Sequence, residues 1–327
     1  MNGGAALTRG LLVTIATPAT WPLALAAFLL RGGFLLVTIP IVVLPTPVGL
    51  GNVLAPWITP LALGSITPAF VAVSAGAVIV VLGWLVIGGW AAAALEAEGA
   101  RIVARVSSDD RPSPGATTGS ARIAVRIMAA RILAYVPLML ALGWASVRVV
   151  WTAYLELTNP SDASVSIGVR IIRSSPDVLV VLVLAWMAGE MVGAVAARRI
   201  TLDREGISIA TRRGIRGCLR RPLATLARFW LPTLALVVVL VPSTVAAASA
   251  WTGVGTVLGD GSDAIRVLIA VLLFVAIWIV GLVLTAVVCA WRAAVWTMAD
   301  VLERRTFGGS SDRRPGDWRD QRSSANV

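Results

Sequence analysis

Glu190 stands in Ala185-Trp186-Met187-Ala188-Gly189-Glu190-Met191-Val192-Gly193, and no other charge occurs between Val178 and Ala197. A charge at mid-membrane costs about 3 kcal/mol, so the carboxylate must face protein or water. It can serve as a proton or cation site, as a substrate contact, or as half of an inter-helix ion pair. Two arginines can answer it. Arg31 lies eight residues into another apolar run and is followed by Gly32 and Gly33, which permit a kink, so it either lines a cavity or marks a later helix start. Arg292 follows Trp291 at a depth similar to that of Glu190. Glu190, Arg31 and Arg292 thus form a candidate intramembrane polar site, with Glu190 the expected counter-charge of either arginine. Gly189 and Gly193 make a G-x-x-x-G that would let a neighbouring backbone approach beside Glu190.

Catalysis has few residues to work with. There is no histidine, and all 28 basic side chains are arginines, which removes His-based triads, H-E-x-x-H metal sites, P-loops and Schiff bases. No G-x-S-x-G elbow occurs, and no two acids share a helix face within an apolar run. We therefore assign no catalytic residue, no metal ligand and no cofactor. Glu156, Asp162, Asp177, Asp260 and Asp263 are the acids left to an enzyme acting on lipid, provided their loops meet. Cys218 and Cys289 read as ordinary buried thiols.

The elements that must position these residues are membrane helices. Apolar residues fill 57% of 327 positions and charged ones only 14%, well below the roughly 25% of soluble domains. Six apolar stretches reach the roughly 20 residues needed to cross a bilayer: Leu23–Leu44, Ala69–Leu95, Ala129–Leu155, Asp177–Ala197, Leu226–Ala250 and Ala264–Ala290. The expected fold is all-α, a polytopic transmembrane helical bundle. The first helix is expected to be retained, because Pro18 and Pro22 interrupt the part resembling a cleavable signal.

Arginine placement sets the expected orientation. With the N-terminus inside, 23 of the 28 arginines fall on the cytoplasmic side, and only Arg148, Arg170, Arg173 and Arg266 fall opposite, Arg31 being ambiguous. Both termini are then cytoplasmic, in the inner or plasma membrane of a bacterium whose arginine usage suits a GC-rich genome. Arg212, Arg213, Arg216, Arg220 and Arg221 sit in the basic stretch Gly206–Arg221, read as a surface helix whose arginines share one face against anionic headgroups. Ser164–Arg173 reads as a short interfacial helix or a connector. Trp21, Trp57, Trp84, Trp90, Trp144, Trp151, Trp251 and Trp291 mostly lie near span ends, as membrane-interface anchors do. Nucleic acid is excluded as a partner, since the arginines follow the spans.

Internal similarity divides residues 1–305 into three hairpins, over about 7–106, 119–200 and 207–305, each behind a basic or weakly amphipathic lead-in. Pro22-Leu23-Ala24 recurs as Pro222-Leu223-Ala224, and Trp90 matches Trp291. The proline-bearing segment Pro45–Pro68 reads as an outer loop, Arg111–Ser120 as a flexible linker, and 306–327 as a disordered cytoplasmic tail.

The lead-in and the run that follows it, Arg220-Arg221-Pro222-Leu223-Ala224-Thr225-Leu226-Ala227-Arg228-Phe229-Trp230-Leu231-Pro232, resemble the repeated unit of bacterial six-helix membrane proteins related to the membrane domain of glycerophosphoryl diester phosphodiesterases. The resemblance covers the layout of the chain. Its hydrolytic domain has no counterpart in these residues, so it implies a membrane role without an active site.

The sequence therefore favours a non-catalytic membrane scaffold or accessory component contacting the bilayer, anionic lipid headgroups, and a membrane-protein partner or a second copy of itself. The alternatives are a small-solute or ion transporter using Glu190, Arg31 and Arg292, and a membrane-embedded enzyme acting on lipid.

Overall fold

Prolines mark where the long helices begin. In the computed structural model, which describes residues 3–38, 60, 64–107, 120–159, 161–162, 164–261 and 263–308, every described element is helical. Pro22, Pro68, Pro137, Pro176 and Pro222 each fall within the first three positions of a helix, where a missing N–H leaves no hydrogen bond unmade. Those helices are α2 (Thr20–Phe28), α4 (Pro68–Ser107), α6 (Val136–Thr158), α8 (Pro176–Asp203) and α10 (Pro222–Gly259). The others are α1 (Gly3–Ala16), α3 (Phe34–Thr38), α5 (Ser120–Ala134), α7 (Ile167–Ser174), α9 (Ile207–Arg220) and α11 (Ala264–Gly308).

Six of the resulting segments are long and apolar enough to span a bilayer: Thr20–Thr38, Pro68–Ser107, Val136–Thr158, Pro176–Asp203, Pro222–Gly259 and Ala264–Arg304. The six expected stretches overlap them, with shifted ends, and residues 39–44 of the first lie outside the described residues. Helix α4 has 40 residues and α11 has 45, about twice the length needed to cross, and both continue into Arg-bearing turns. Along α4, Val78 through Leu82 and Leu85 through Ile87 are all exposed, covering its whole circumference. Water would not tolerate such a surface, whereas lipid does.

Two spans depart from the expected course. The third does not begin at Ala129, because the helix breaks at Tyr135 (φ −89°, ψ 0°) and residues 129–134 belong to α5. In the first, a π turn over Leu29–Gly33 separates α2 from α3, and Gly32 adopts φ +101°, open to glycine but not to other residues without strain. The kink anticipated from Arg31-Gly32-Gly33 is therefore built around Gly32. Most of the loop Pro45–Pro68, the linker Arg111–Ser120 and the tail beyond Gly308 lie outside the described residues, while 306–308 are helical.

The chain forms two compact units. The first comprises Met1–Val13, Ala100–Phe229 and Ala294–Val327. Its core packs Met187 and Ala194 of α8 against Phe229 of α10 and Trp296 of α11, with the Trp186 and Phe229 rings edge to face at 5.4 Å. A neighbouring cluster joins Val103, Ala294 and Met298 to Val13. Helices α5 and α9 both lie against α8.

The second unit comprises Thr14–Gly99 and Trp230–Ala293, taken from the first and third expected hairpins. Ala247 and Val254 pack on Phe274, with the Trp251 ring tilted against it at 5.1 Å. The Trp278 indole donates to the Val37 carbonyl at 3.4 Å. Pro232 and Pro242 lie inside α10, and the Ser243 and Thr244 hydroxyls donate to the Val239 and Leu240 carbonyls beside the second of them.

Each of the three helix pairs also closes on a glycine. A Cβ on Gly88 would stand 3.1 Å from the Leu30 carbonyl, one on Gly189 would stand 3.2 Å from the Ala134 carbonyl, and one on Gly281 would stand 3.0 Å from the Ser243 Cβ. The close approach expected at Gly189 is thus real, and its neighbour is the α5–α6 break.

Candidate functional site

Glu190 lies midway along α8, and in the first unit its partners are Tyr135 and Arg131. The Tyr135 hydroxyl donates to Glu190 Oε1, and the Arg131 guanidinium stands 3.8 Å from the same oxygen. Both charged side chains are largely buried, at 11% exposure for Arg131 and 15% for Glu190. The break at Tyr135 swings that ring under α8, and Gly189 leaves the room for it. A carboxylate held by a phenol donor and a neighbouring cation from another helix makes an inter-helix clamp.

Arg31 finds a different counter-charge. In the second unit its guanidinium donates to Glu96 of α4, whose side chain is 7% exposed. The expected partner was Glu190, which belongs to the first unit. The sequence reading ended the second span at Leu95 and so put Glu96 outside it, whereas α4 continues unbroken to Ser107. Arg292 belongs with Arg31 to the second unit, and both lie within electrostatic range of Cys289. Glu190 thus falls in the first unit, and the two arginines fall in the second.

The Arg-rich end of the first unit holds a denser array. Arg204 closes α8 in the left-handed conformation (φ 55°), turning the chain into α9. Ala210, Thr211 and Gly214 form the inward face of α9, and a Cβ on Gly214 would sit 3.2 Å from the Val192 carbonyl. This helix is therefore seated on protein, with Ile209, Ile215 and Leu219 left exposed.

The five arginines expected on one face of α9 divide three ways. Arg213, Arg216 and Arg220 point outward, Arg213 donating to Glu205. Arg212 lines an apolar cleft shared with α5, α6 and α8, and Arg221, past the helix end, lines a polar pocket with α8, α10 and α11. The division follows from helical spacing, since positions 212, 215 and 219 share a stripe distinct from 213, 216 and 220.

Ion pairs knit the pocket's rim. Arg199 stands 3.9 Å from both Glu205 and Glu303, and Arg304 reaches Asp203 at 2.8 Å and Asp300 at 3.1 Å through Nε. Arg198, buried, donates from Nε to the Thr297 hydroxyl at 3.4 Å. Burial pushes the Cys218 thiol up to about 11.

The acids considered for lipid chemistry have local partners. In the first unit, Glu156 is buried and accepts from the Ser161 hydroxyl and backbone N–H and from the Ser174 hydroxyl, with Arg170 of α7 at 3.4 Å. Asp177 stands 3.5 Å from Arg148. Asp162 accepts from the Ser164 hydroxyl and backbone N–H, which hold its carboxyl below the usual range. Asp260 and Asp263 belong to the second unit.

Sequence reasoning did not single out Tyr135, Glu96, Arg198, Arg199 or Arg228 as site residues. One signal was present: Arg131 fell inside the expected third span, Ala129–Leu155, and a charge there asks for a partner as Glu190 does.

No family model, curated protein or solved structure matches this chain. Its class rests on the fold: six long helices carrying apolar side chains on their outer surfaces make it a multi-pass integral membrane protein.

Proposed function

We propose that the protein is a non-catalytic membrane scaffold or accessory component whose Arg-rich end contacts anionic lipid. It sits in the inner or plasma membrane with that end and both termini cytoplasmic, as the arginine asymmetry favours. The observation that carries this reading is α9, anchored on α8 through Ala210, Thr211 and Gly214 while Arg212, Arg213, Arg216 and Arg220 remain exposed beside Ile209, Ile215 and Leu219. Arginines beside exposed aliphatic side chains suit a headgroup–acyl boundary, where each basic residue contributes about 1 kcal/mol with anionic lipid. The three lead-in helices, of 14, 15 and 14 residues, and the glycine at each hairpin crossing support a tandem repeat assembled as a structural bundle. The resemblance to the membrane domain associated with glycerophosphoryl diester phosphodiesterases is consistent with that role.

The pairing of Glu190 with Tyr135 and Arg131, and of Arg31 with Glu96, favours a structural role for these charges over a transport path. Spin-labelled lipids in reconstituted protein test the proposal. Phosphatidylglycerol should be enriched over phosphatidylcholine around the native protein, and Arg212→Gln/Arg216→Gln/Arg220→Gln should reduce that enrichment several-fold. Equal association of both lipids with the native protein would overturn it. Flux of a solute panel abolished by Glu190→Gln would establish the transporter instead.

A further inference from the structure

Two cavities meet where α9 joins α10, and they differ in chemistry. The larger, about 750 Å³, is lined by apolar side chains that include Leu133, Val136, Met191, Ile215 and Leu219, with Arg212 as its charged member. That volume lies in the range of lipid- and drug-sized sites. The smaller, about 70 Å³, is lined by Arg198, Arg199, Arg221 and Arg228 together with Asp300 and Glu303. Cys218 and Thr225 line both, so the two share a wall.

The small pocket has more cation than its acids use. Asp300 already accepts from Arg304, and Glu303 lies 3.9 Å from Arg199, beyond hydrogen-bond distance. The Nε atoms of Arg199 and Arg228 are buried and make no hydrogen bond. A buried guanidinium N–H without an acceptor is unfavourable, and a phosphate supplies acceptors in the geometry its planar fork matches.

We propose that the two cavities together bind one anionic glycerophospholipid. Its phosphate sits among Arg199, Arg221 and Arg228, its glycerol passes Thr225 and Cys218, and its acyl chain occupies the apolar cleft. The proposal rests on the reading that this end of the protein contacts anionic lipid, and narrows that contact to a single built site. Charge complementarity selects the headgroup, and the adjoining cleft selects a lipid over a soluble phosphate.

The test uses delipidated full-length protein in an uncharged detergent, with native mass spectrometry counting bound dioctanoyl phosphatidic acid. Dioctanoylglycerol and inorganic phosphate are the two partial probes. One saturable phosphatidic acid site is expected, binding more tightly than either partial probe. Arg228→Gln should weaken it about tenfold or more, and Arg216→Gln/Arg220→Gln, which alter only the outer surface of α9, should weaken it far less. In the native protein, phosphatidic acid should protect Cys218 from alkylation, a readout that does not depend on any variant folding.

Inorganic phosphate binding as tightly as phosphatidic acid would overturn the lipid assignment. Loss of binding in Arg216→Gln/Arg220→Gln with none in Arg228→Gln, or an unprotected Cys218, would overturn this site while leaving general anionic-lipid contact standing. No preference of the native protein for phosphatidic acid over dioctanoylglycerol would remove both.

Discussion

Two glycines four residues apart on α8 should respond to the same substitution with opposite signs. A Cβ at Gly189 would stand 2.7 Å from Tyr135 Cδ1 and 3.2 Å from the Ala134 carbonyl oxygen, whereas one at Gly193 would stand 3.5 Å from its nearest neighbour, Arg131 Cγ. The Tyr135 ring cannot simply rotate aside, because its hydroxyl is tied to Glu190. Gly189→Ala therefore forces a backbone shift, at about 1–3 kcal/mol for overpacking, or loosens a hydrogen bond to a charged group, at about 1.5–3 kcal/mol. Replacing a helical glycine returns about 0.5–1 kcal/mol, so the net loss at Gly189 is about 0.5–2 kcal/mol. At Gly193 only the gain remains. Thermal unfolding in detergent, followed by tryptophan fluorescence, should show Gly189→Ala melting below the native protein and Gly193→Ala at or above it. In a Tyr135→Ala background Gly189→Ala should cost less than it does in the native protein, because the ring is gone and only the Ala134 carbonyl contact is left. Equal melting of the two single variants would refute the account of Gly189 as the crossing point.

Other residues offer separate checks. Gly32→Ala meets no neighbouring atom but must adopt φ +101°, so a purely conformational cost of about 1–3 kcal/mol should appear as a lower melting temperature. A native-like melting curve would show that the first span relaxes without it. Glu156→Ala leaves the half-buried Arg170 without its carboxylate and should lower the melting temperature, with hydrogen exchange across residues 159–175 rising sharply. Unchanged exchange there would mean that the acid does not organise α7. The Cys218 thiol, held up to about 11 by burial, stays protonated at neutral pH, so its alkylation should be slow at pH 8 and climb steadily towards pH 11. Its protonation stabilises the fold below the ordinary thiol pKa, and that stabilisation is lost as pH rises through about 11. Alkylation already at its maximum at pH 8 would contradict a buried thiol.

The all-α class and the six spans were legible because hydropathy over about 20 residues registers the bilayer itself. Helix ends were less so. Leu95 looked like the end of a span because Glu96 follows it, yet the helix continues, and Glu96 acts as the counter-charge of Arg31. Likewise Ala129–Ala134 looked like span but belongs to α5, since hydropathy does not register the break at Tyr135, which Pro137 marks as a helix start. Glu190 was visible as an anomaly, but its bond to Tyr135 was not: Tyr135 is 55 positions away, and nothing in periodicity links the two. Arg199 and Arg228 were read only as topology signals, because it takes the folded meeting of α8, α9, α10 and α11 to gather them around one pocket.

Helix α4 carries two kinds of inheritance on one rod. From Val78 to Ile87 its aliphatic side chains are exposed, so any exchange among Val, Ile and Leu keeps what the bilayer requires, and lineages are free to drift there. From Ala92 through Ala93, Ala97 and Ala100 to Val103 the side chains are buried against other helices, and an added methyl group has nowhere to go. Descendants of this chain should accordingly keep the letters of the second stretch and only the oiliness of the first. A search for relatives that weights positions equally along α4 would lose the part of the helix that can still be recognised.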